Sequence, residues 1–140
     1  MQHLIERLEK ATGSDRELDN FIVAAIGWKR IQTGSAAWPH FVWRTPDGAQ
    51  FPDDGTRVPN YTGSIDAAST LVPNGLTWNA GITDEHFGGP IVATAQVLTR
   101  EFTPKGWRSR GATPAIALCI AALSASMALT ETPLKSQQSA

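Results

Sequence analysis

At 140 residues the chain has the length of one domain and can bury a hydrophobic core without disulfides or metals to staple it. Its 41% hydrophobic and 18% charged residues exclude extensive disorder, and a formal charge of -1 excludes a global field drawing it to duplex nucleic acid or an anionic membrane. The single cysteine, Cys119, excludes an internal disulfide and, set among apolar residues, reads as a buried thiol in a reducing compartment.

In chain order, Leu4, Ile5 and Leu8 recur at helical spacing, so a short amphipathic helix is expected before Thr12-Gly13. Ser14-Asp-Arg-Glu17 has the spacing of a capping box and opens a second helix whose stripe is Leu18, Phe21, Ile22, Ala25 and Ile26, stopped at Gly27 with Trp28 folding back. From Gln32 to Tyr61 the chain turns rich in Gly, Pro, Asp and aromatics. Phe41-Val-Trp-Arg44 reads as a short strand, Pro46-Asp-Gly48 as a turn, and Ala49-Gln-Phe51 as its hairpin partner, with an irregular loop over 52–59. Ser64 caps a short helix through Ile65, Ala68, Leu71 and Val72, ended by Pro73-Asn-Gly75.

Leu76, Trp78, Ala80 and Ile82 alternate with polar or small residues, the period of a half-buried strand, and Ile91-Val-Ala-Thr-Ala-Gln-Val-Leu98 is its antiparallel neighbour across a turn at 84–90. A basic loop over 103–111 then leads to a buried helix with Thr113 as cap and Pro114 in its first turn. Ile116, Ile120, Leu123 and Met127 form its stripe, and Ala117, Ala121 and Ala125 permit close packing on the sheet. The expected fold is α+β: one domain over 1–130 with a small antiparallel sheet packed against helices, an αβα-like layering, a loop insertion at about 44–60 and a flexible tail over 131–140. The charged N-terminus lacks the apolar run of a signal peptide and no stretch reaches bilayer length, so a cytoplasmic location without a membrane partner is expected.

The assembled pattern of a helix ending Ile26-Gly-Trp28, an aromatic loop, Asn60-Tyr-Thr-Gly-Ser-Ile-Asp-Ala-Ala68, two strands and Ala112-Thr-Pro-Ala-Ile-Ala-Leu-Cys-Ile-Ala-Ala-Leu123 resembles the phage ABA-sandwich family. The similarity spans roughly Asp15 to Leu129, and the insertion between Trp43 and Tyr61 departs from it. It implies a layered α/β fold and a phage or prophage origin, and it carries no catalytic residue over to this chain.

Signatures of common chemistries are missing from the sequence. His3, His40 and His86 form no ligand pair, Cys119 has no second cysteine at metal spacing, and no nucleophile elbow, P-loop or dinucleotide fingerprint occurs. Asp53-Asp54 and Asp84-Glu85 are either solvated turn residues or carboxylates for a divalent ion. The most suggestive feature is the approach to the last helix. Lys105, Arg108 and Arg110, with Ser109 and Gly111, precede the free amides around Thr113, so cations and a helix N-terminus together would cradle a phosphate, with Trp107 as a flat face beside it. The competing reading is a solvated connection. Trp28 and Trp78 suit a core, whereas Trp38, Trp43 and Trp107 lie in loop-like segments beside Arg44 and Arg108, where aromatic rings and guanidinium groups serve either nucleotide stacking or protein interfaces.

The leading expectation is a phage-encoded, non-catalytic protein that sequesters a nucleotide immune signal in pockets shared between protomers of a homo-oligomer, without a cofactor. Its ligand-binding residues would be Trp43, Arg44, Lys105, Trp107, Arg108, Ser109, Arg110 and Thr113. The alternatives are a protein-binding module acting through the region from Trp38 to Tyr61 and a metal-dependent phosphoesterase using Asp53, Asp54, Asp84 or Glu85.

Overall fold

The computed structural model describes residues 1–84, 91–102 and 105–131 and is α+β, with four helices and two three-stranded antiparallel sheets. Of the expected turn over 84–90, Asp84 ends a strand and 85–90, with Glu85 and His86, lie outside the described residues, as do Thr103 and Pro104, the tail from 132 and the side chains of Thr83, Asp84, Ile91 and Glu131.

Helix α1 (Gln2–Lys10) buries Leu4, Ile5 and Leu8, the expected stripe. Helix α2 (Arg16–Ala25) is capped by Asp15, whose carboxylate accepts from the N–H groups of Glu17 and Leu18 at 2.8 and 3.4 Å. The capping box expected from Ser14 is therefore replaced. An ionised acceptor binds free helix amides more strongly than a hydroxyl, and Glu17 instead lies 3.6 Å from Arg7. The buried face of α2 is Leu18, Asp19, Ile22 and Val23, whereas Phe21 and Ile26 are exposed; the Arg7 guanidinium covers the Phe21 ring at 4.6 Å. Gly27 ends the helix at φ 107°, a conformation that a Cβ makes costly, and Trp28 N–H returns to the Val23 carbonyl at 2.9 Å.

The first sheet has the order β1 (Lys29–Gly34), β2 (Pro39–Arg44), β3 (Gln50–Pro52). The β2–β3 hairpin and its turn follow expectation, with Gly48 at φ 94° and Thr45 N–H bonded to the Ala49 carbonyl at 2.9 Å. Strand β1 is additional. The segment after β3 is held down: Arg16 donates to the carbonyls of Gly55, Val58 and Pro59 at 2.9, 2.8 and 3.3 Å while pairing with Asp19 at 2.9 Å. Asp19 is fully buried and also accepts from the Thr62 N–H and hydroxyl at 2.9 Å each. A buried carboxylate persists because these partners replace its water.

Ser64 caps α3 (Ile65–Ser69) by accepting from Ala67 N–H at 3.3 Å. The helix is shorter than expected, because Leu71 and Val72 bond three residues back, to Ala68 and Ser69, tightening the chain before Pro73.

The second sheet runs β4 (Thr77–Asp84), β5 (Ile91–Leu98), β6 (Gly106–Gly111). Helix α4 (Pro114–Glu131) packs against β5 and β6 on one side and against α1 and α3 on others. Thr113 caps it by accepting from Ile116 N–H at 3.2 Å. Residues 115–123 and Ala125 are all buried, so over its first ten residues the helix is enclosed on every side and apolar all round rather than along one stripe, while Leu129 and Thr130 near its end are exposed. Small residues let the layers approach: a Cβ on Gly111 would stand 2.8 Å from the Ala117 nitrogen. No helix among the described residues is long and apolar enough to cross a membrane.

Candidate functional site

The segment expected as a basic loop is the edge strand β6. Its side chains alternate: Trp107, Ser109 and Gly111 are half-buried, whereas Gly106, Arg108 and Arg110 are exposed. Ser109 donates to the Ala117 carbonyl and Trp107 packs on the core, which fixes the inner face toward α4. Arg108 and Arg110 therefore project from the opposite face of the sheet. Thr113 caps α4, and the phosphate cradle expected from arginines and a helix N-terminus acting together is not assembled, because strand alternation turns both guanidinium groups away from the helix.

What the outer face does assemble is a polar, donor-rich surface. Register places Gln96 beside Arg108 and Thr94 beside Arg110, with Asn79 and Gly81 of β4 next across the sheet. With its oxygen turned to the guanidinium, the Gln96 amide accepts from Arg108 Nε at 2.9 Å and Nη2 at 3.0 Å. This uses two of the five guanidinium N–H donors and holds the group against the sheet. A cleft of about 970 Å³ runs along β5 and β6, lined by Thr94, Gln96, Arg108 and Arg110, by Ala95 and Ser109 of the inner face, and by residues of α1 (Gln2, Ile5, Glu9) and α4 (Ile120, Ser124). Lys105 precedes β6 and is exposed; its N–H donates to the Thr99 hydroxyl at 2.9 Å. Gln96 and Thr94 were not singled out from sequence, although their alternation with buried Ala93, Ala95 and Val97 was the available signal.

Trp43 and Arg44 belong to the first sheet and do not join this face. Trp43 is only 5% exposed, contrary to its expected loop setting: its indole Nε1 donates to Asp53 Oδ1 at 3.0 Å and its ring meets Trp28 edge-on at 6.3 Å. It offers no stacking platform. Arg44 points to the other side of β2, where the Gln50 amide oxygen accepts from Nη2 at 2.9 Å and Nε at 3.3 Å. Trp78, expected in the core, is 40% exposed, and Trp38 at the β1–β2 turn is 77% exposed.

Of the carboxylates considered for metal chemistry, Asp53 and Asp54 serve local structure. Asp53 takes Arg30 Nε at 2.6 Å on the oxygen that Trp43 leaves, and Asp54 accepts from the Thr56 N–H and hydroxyl at 3.0 and 2.6 Å, bonds that hold its carboxyl below the usual range. Among the described residues no group of three or more His, Cys, Asp and Glu side chains could hold a metal ion. Cys119 is buried and its Sγ donates to the Tyr61 carbonyl at 3.3 Å; burial, with the Asp19 carboxylate adding, pushes the thiol up to about 12. Such a thiol is neutral and packs as core.

Compared with protein-family models, with curated proteins and with solved structures, the chain shows no significant match.

Proposed function

We propose that this protein binds an anionic ligand of the nucleotide class without turning it over, on the outer face of β4–β5–β6 beside β6. The observation that carries the reading is the pair Arg108 and Arg110, exposed on one face of one strand and bordering the cleft. Two residues of strand separate them by about 7 Å, so one polyanionic ligand reaches both. Guanidinium groups bind phosphate oxygens through paired, charge-assisted hydrogen bonds, and an arginine already oriented by Gln96 loses less freedom on binding. The side chains around them, Thr94 and Gln96, are hydrogen-bonding groups that hold a ligand in place rather than attack it. Sequestration of a nucleotide immune signal by a phage-encoded protein is the biological form of this proposal. Mass spectrometry of small molecules released on denaturing the purified protein is its first test: a recovered nucleotide, intact, supports it. A protein free of nucleotide that also shows no thermal shift with a panel of cyclic and linear signalling nucleotides contradicts it.

One observation favours a second reading, a protein-binding module: Trp38 stands 77% exposed at the end of the β1–β2 hairpin, and exposed tryptophans anchor interfaces. Capture of a host protein that is lost in Trp38→Ala and kept in Arg108→Ala/Arg110→Ala would select this reading over the first.

A further inference from the structure

The outer edge of β4 is open and its sequence is matched to itself. Among the described residues β4 pairs only with β5, leaving the backbone groups on its other side without a strand. Up to its last residue, Asp84, β4 contains no charge and no proline, the devices by which edge strands avoid pairing. On the inner face Trp78 and Ile82 are 40% and 66% exposed, while Ala80 between them packs on the core. An added strand satisfies such backbone groups and covers the apolar side chains beside them at once.

We infer that two copies of this chain pair β4 to β4, antiparallel, about a two-fold axis at Ala80. That register sets Trp78 opposite Ile82 of the partner copy, and Ile82 opposite its Trp78, on the inner face. Aromatic and β-branched side chains facing each other are a stabilising cross-strand pair. On the outer face Asn79 meets Gly81 of the partner copy. None of these pairings is like-charged. The other edges refuse the same operation. Pairing β6 to β6 about Ser109 would set Arg108 against Arg110 of the partner copy twice; β1 carries Lys29 and Arg30, charges of the kind that keep an edge solvated; β3 is three residues long and ends in Pro52. Charge thus selects β4 among the edges. The product is a continuous six-stranded sheet that covers Trp78 and Ile82 and leaves the two arginine pairs at its far sides, so the seam stands independently of ligand binding at β6.

Sedimentation equilibrium across micromolar concentrations reads the association directly, and two outer-face variants test the register. A Cβ on Gly81 meets nothing within 4 Å, so substitution there leaves the protomer intact. Asn79→Glu/Gly81→Glu sets carboxylate against carboxylate at two symmetric places; the mass falls from twice that of the chain to that of the chain, with an unchanged circular dichroism spectrum. Asn79→Lys/Gly81→Glu sets unlike charges across the seam and restores the dimer. A wild-type monomer at all concentrations, including one whose β4 edge is covered by the chain's own C-terminal segment, overturns the proposal. So does a dimer that persists in Asn79→Glu/Gly81→Glu, or a failure of the charge-reversed variant to reassociate.

Discussion

Gln96 and Arg108 face each other across β5 and β6, and the amide oxygen of Gln96 takes both Nε and Nη2 of the guanidinium at 2.9 and 3.0 Å. The pair makes Arg108 a fixed feature of the outer sheet face. If that fixation aids ligand binding, Gln96→Leu, which keeps the size and removes the acceptor, weakens a nucleotide ligand by about 3- to 10-fold, an order-of-magnitude figure for one hydrogen bond of about 1 kcal/mol. The same titration weakens further as salt rises, because exposed ion pairs are screened. Affinity that is indifferent to both changes would place the ligand elsewhere.

Asp19 and Thr62 join α2 to the segment before α3. Asp19→Ala leaves the buried Thr62 N–H without its acceptor and takes the carboxylate from Arg16, at a cost of about 3–5 kcal/mol. Thr62→Val, which removes only the hydroxyl, costs about 1–3 kcal/mol. Urea denaturation of the two single variants and the double variant measures the coupling; additive losses would show that the contact is not the joint described.

Cys119 gives the protein an alkaline limit. The fold favours the neutral thiol, so the folded-state pKa lies above the unfolded one. That contribution is complete below the ordinary thiol range and is lost as pH rises from about 9 toward about 12. Tyr61, raised chiefly by its own burial, acts in the same direction at higher pH. Stability is expected to fall above pH 9 by at most about 1.4 kcal/mol per pH unit for the thiol, and Cys119→Ala flattens that part of the curve. Thiol reagents should label Cys119 only on unfolding; rapid labelling of the folded protein would contradict its burial.

Glycine positions separate close packing from open space. At Gly111 a Cβ would lie 2.8 Å from the Ala117 nitrogen and 2.9 Å from Ile116 Cγ2, so Gly111→Ala is expected to destabilise by about 1–3 kcal/mol, the cost of overpacking. Gly81→Ala, with nothing within 4 Å, changes stability by less than about 0.5 kcal/mol. Equal melting temperatures for the two variants would show that β6 and α4 are not so closely apposed.

Much of this fold is legible in local sequence. Thr113-Pro114 before an unbroken apolar run gives α4 its start, and the spacing of Leu4, Ile5 and Leu8 gives α1 its face. The misses share a physical cause, which is that burial is decided by neighbours distant in sequence. Strand β1 is exposed at five of its six positions, so it has no apolar alternation and exists through pairing with β2. In β6 the period of two is present in Trp107, Ser109 and Gly111, but the arginines between them gave the segment the composition of a loop. Trp43 and Trp78 exchange their expected roles because Trp43 sits in a middle strand with Asp53 to accept its N–H, whereas Trp78 sits on an edge. Of the candidate site, Arg108 and Arg110 could be named from sequence; that they face away from α4 required knowing that 106–111 is a strand.

Whether Arg108 and Arg110 hold an anionic ligand on the outer sheet face is read by calorimetric titration of a panel of signalling nucleotides into the wild type and into Arg108→Ala/Arg110→Ala. Each arginine–phosphate contact contributes about 1.5–3 kcal/mol, so the double variant should lose at least about 100-fold in affinity while keeping the wild-type melting temperature. A nucleotide that binds the double variant as tightly as the wild type, or a wild type that binds no member of the panel, would contradict the account.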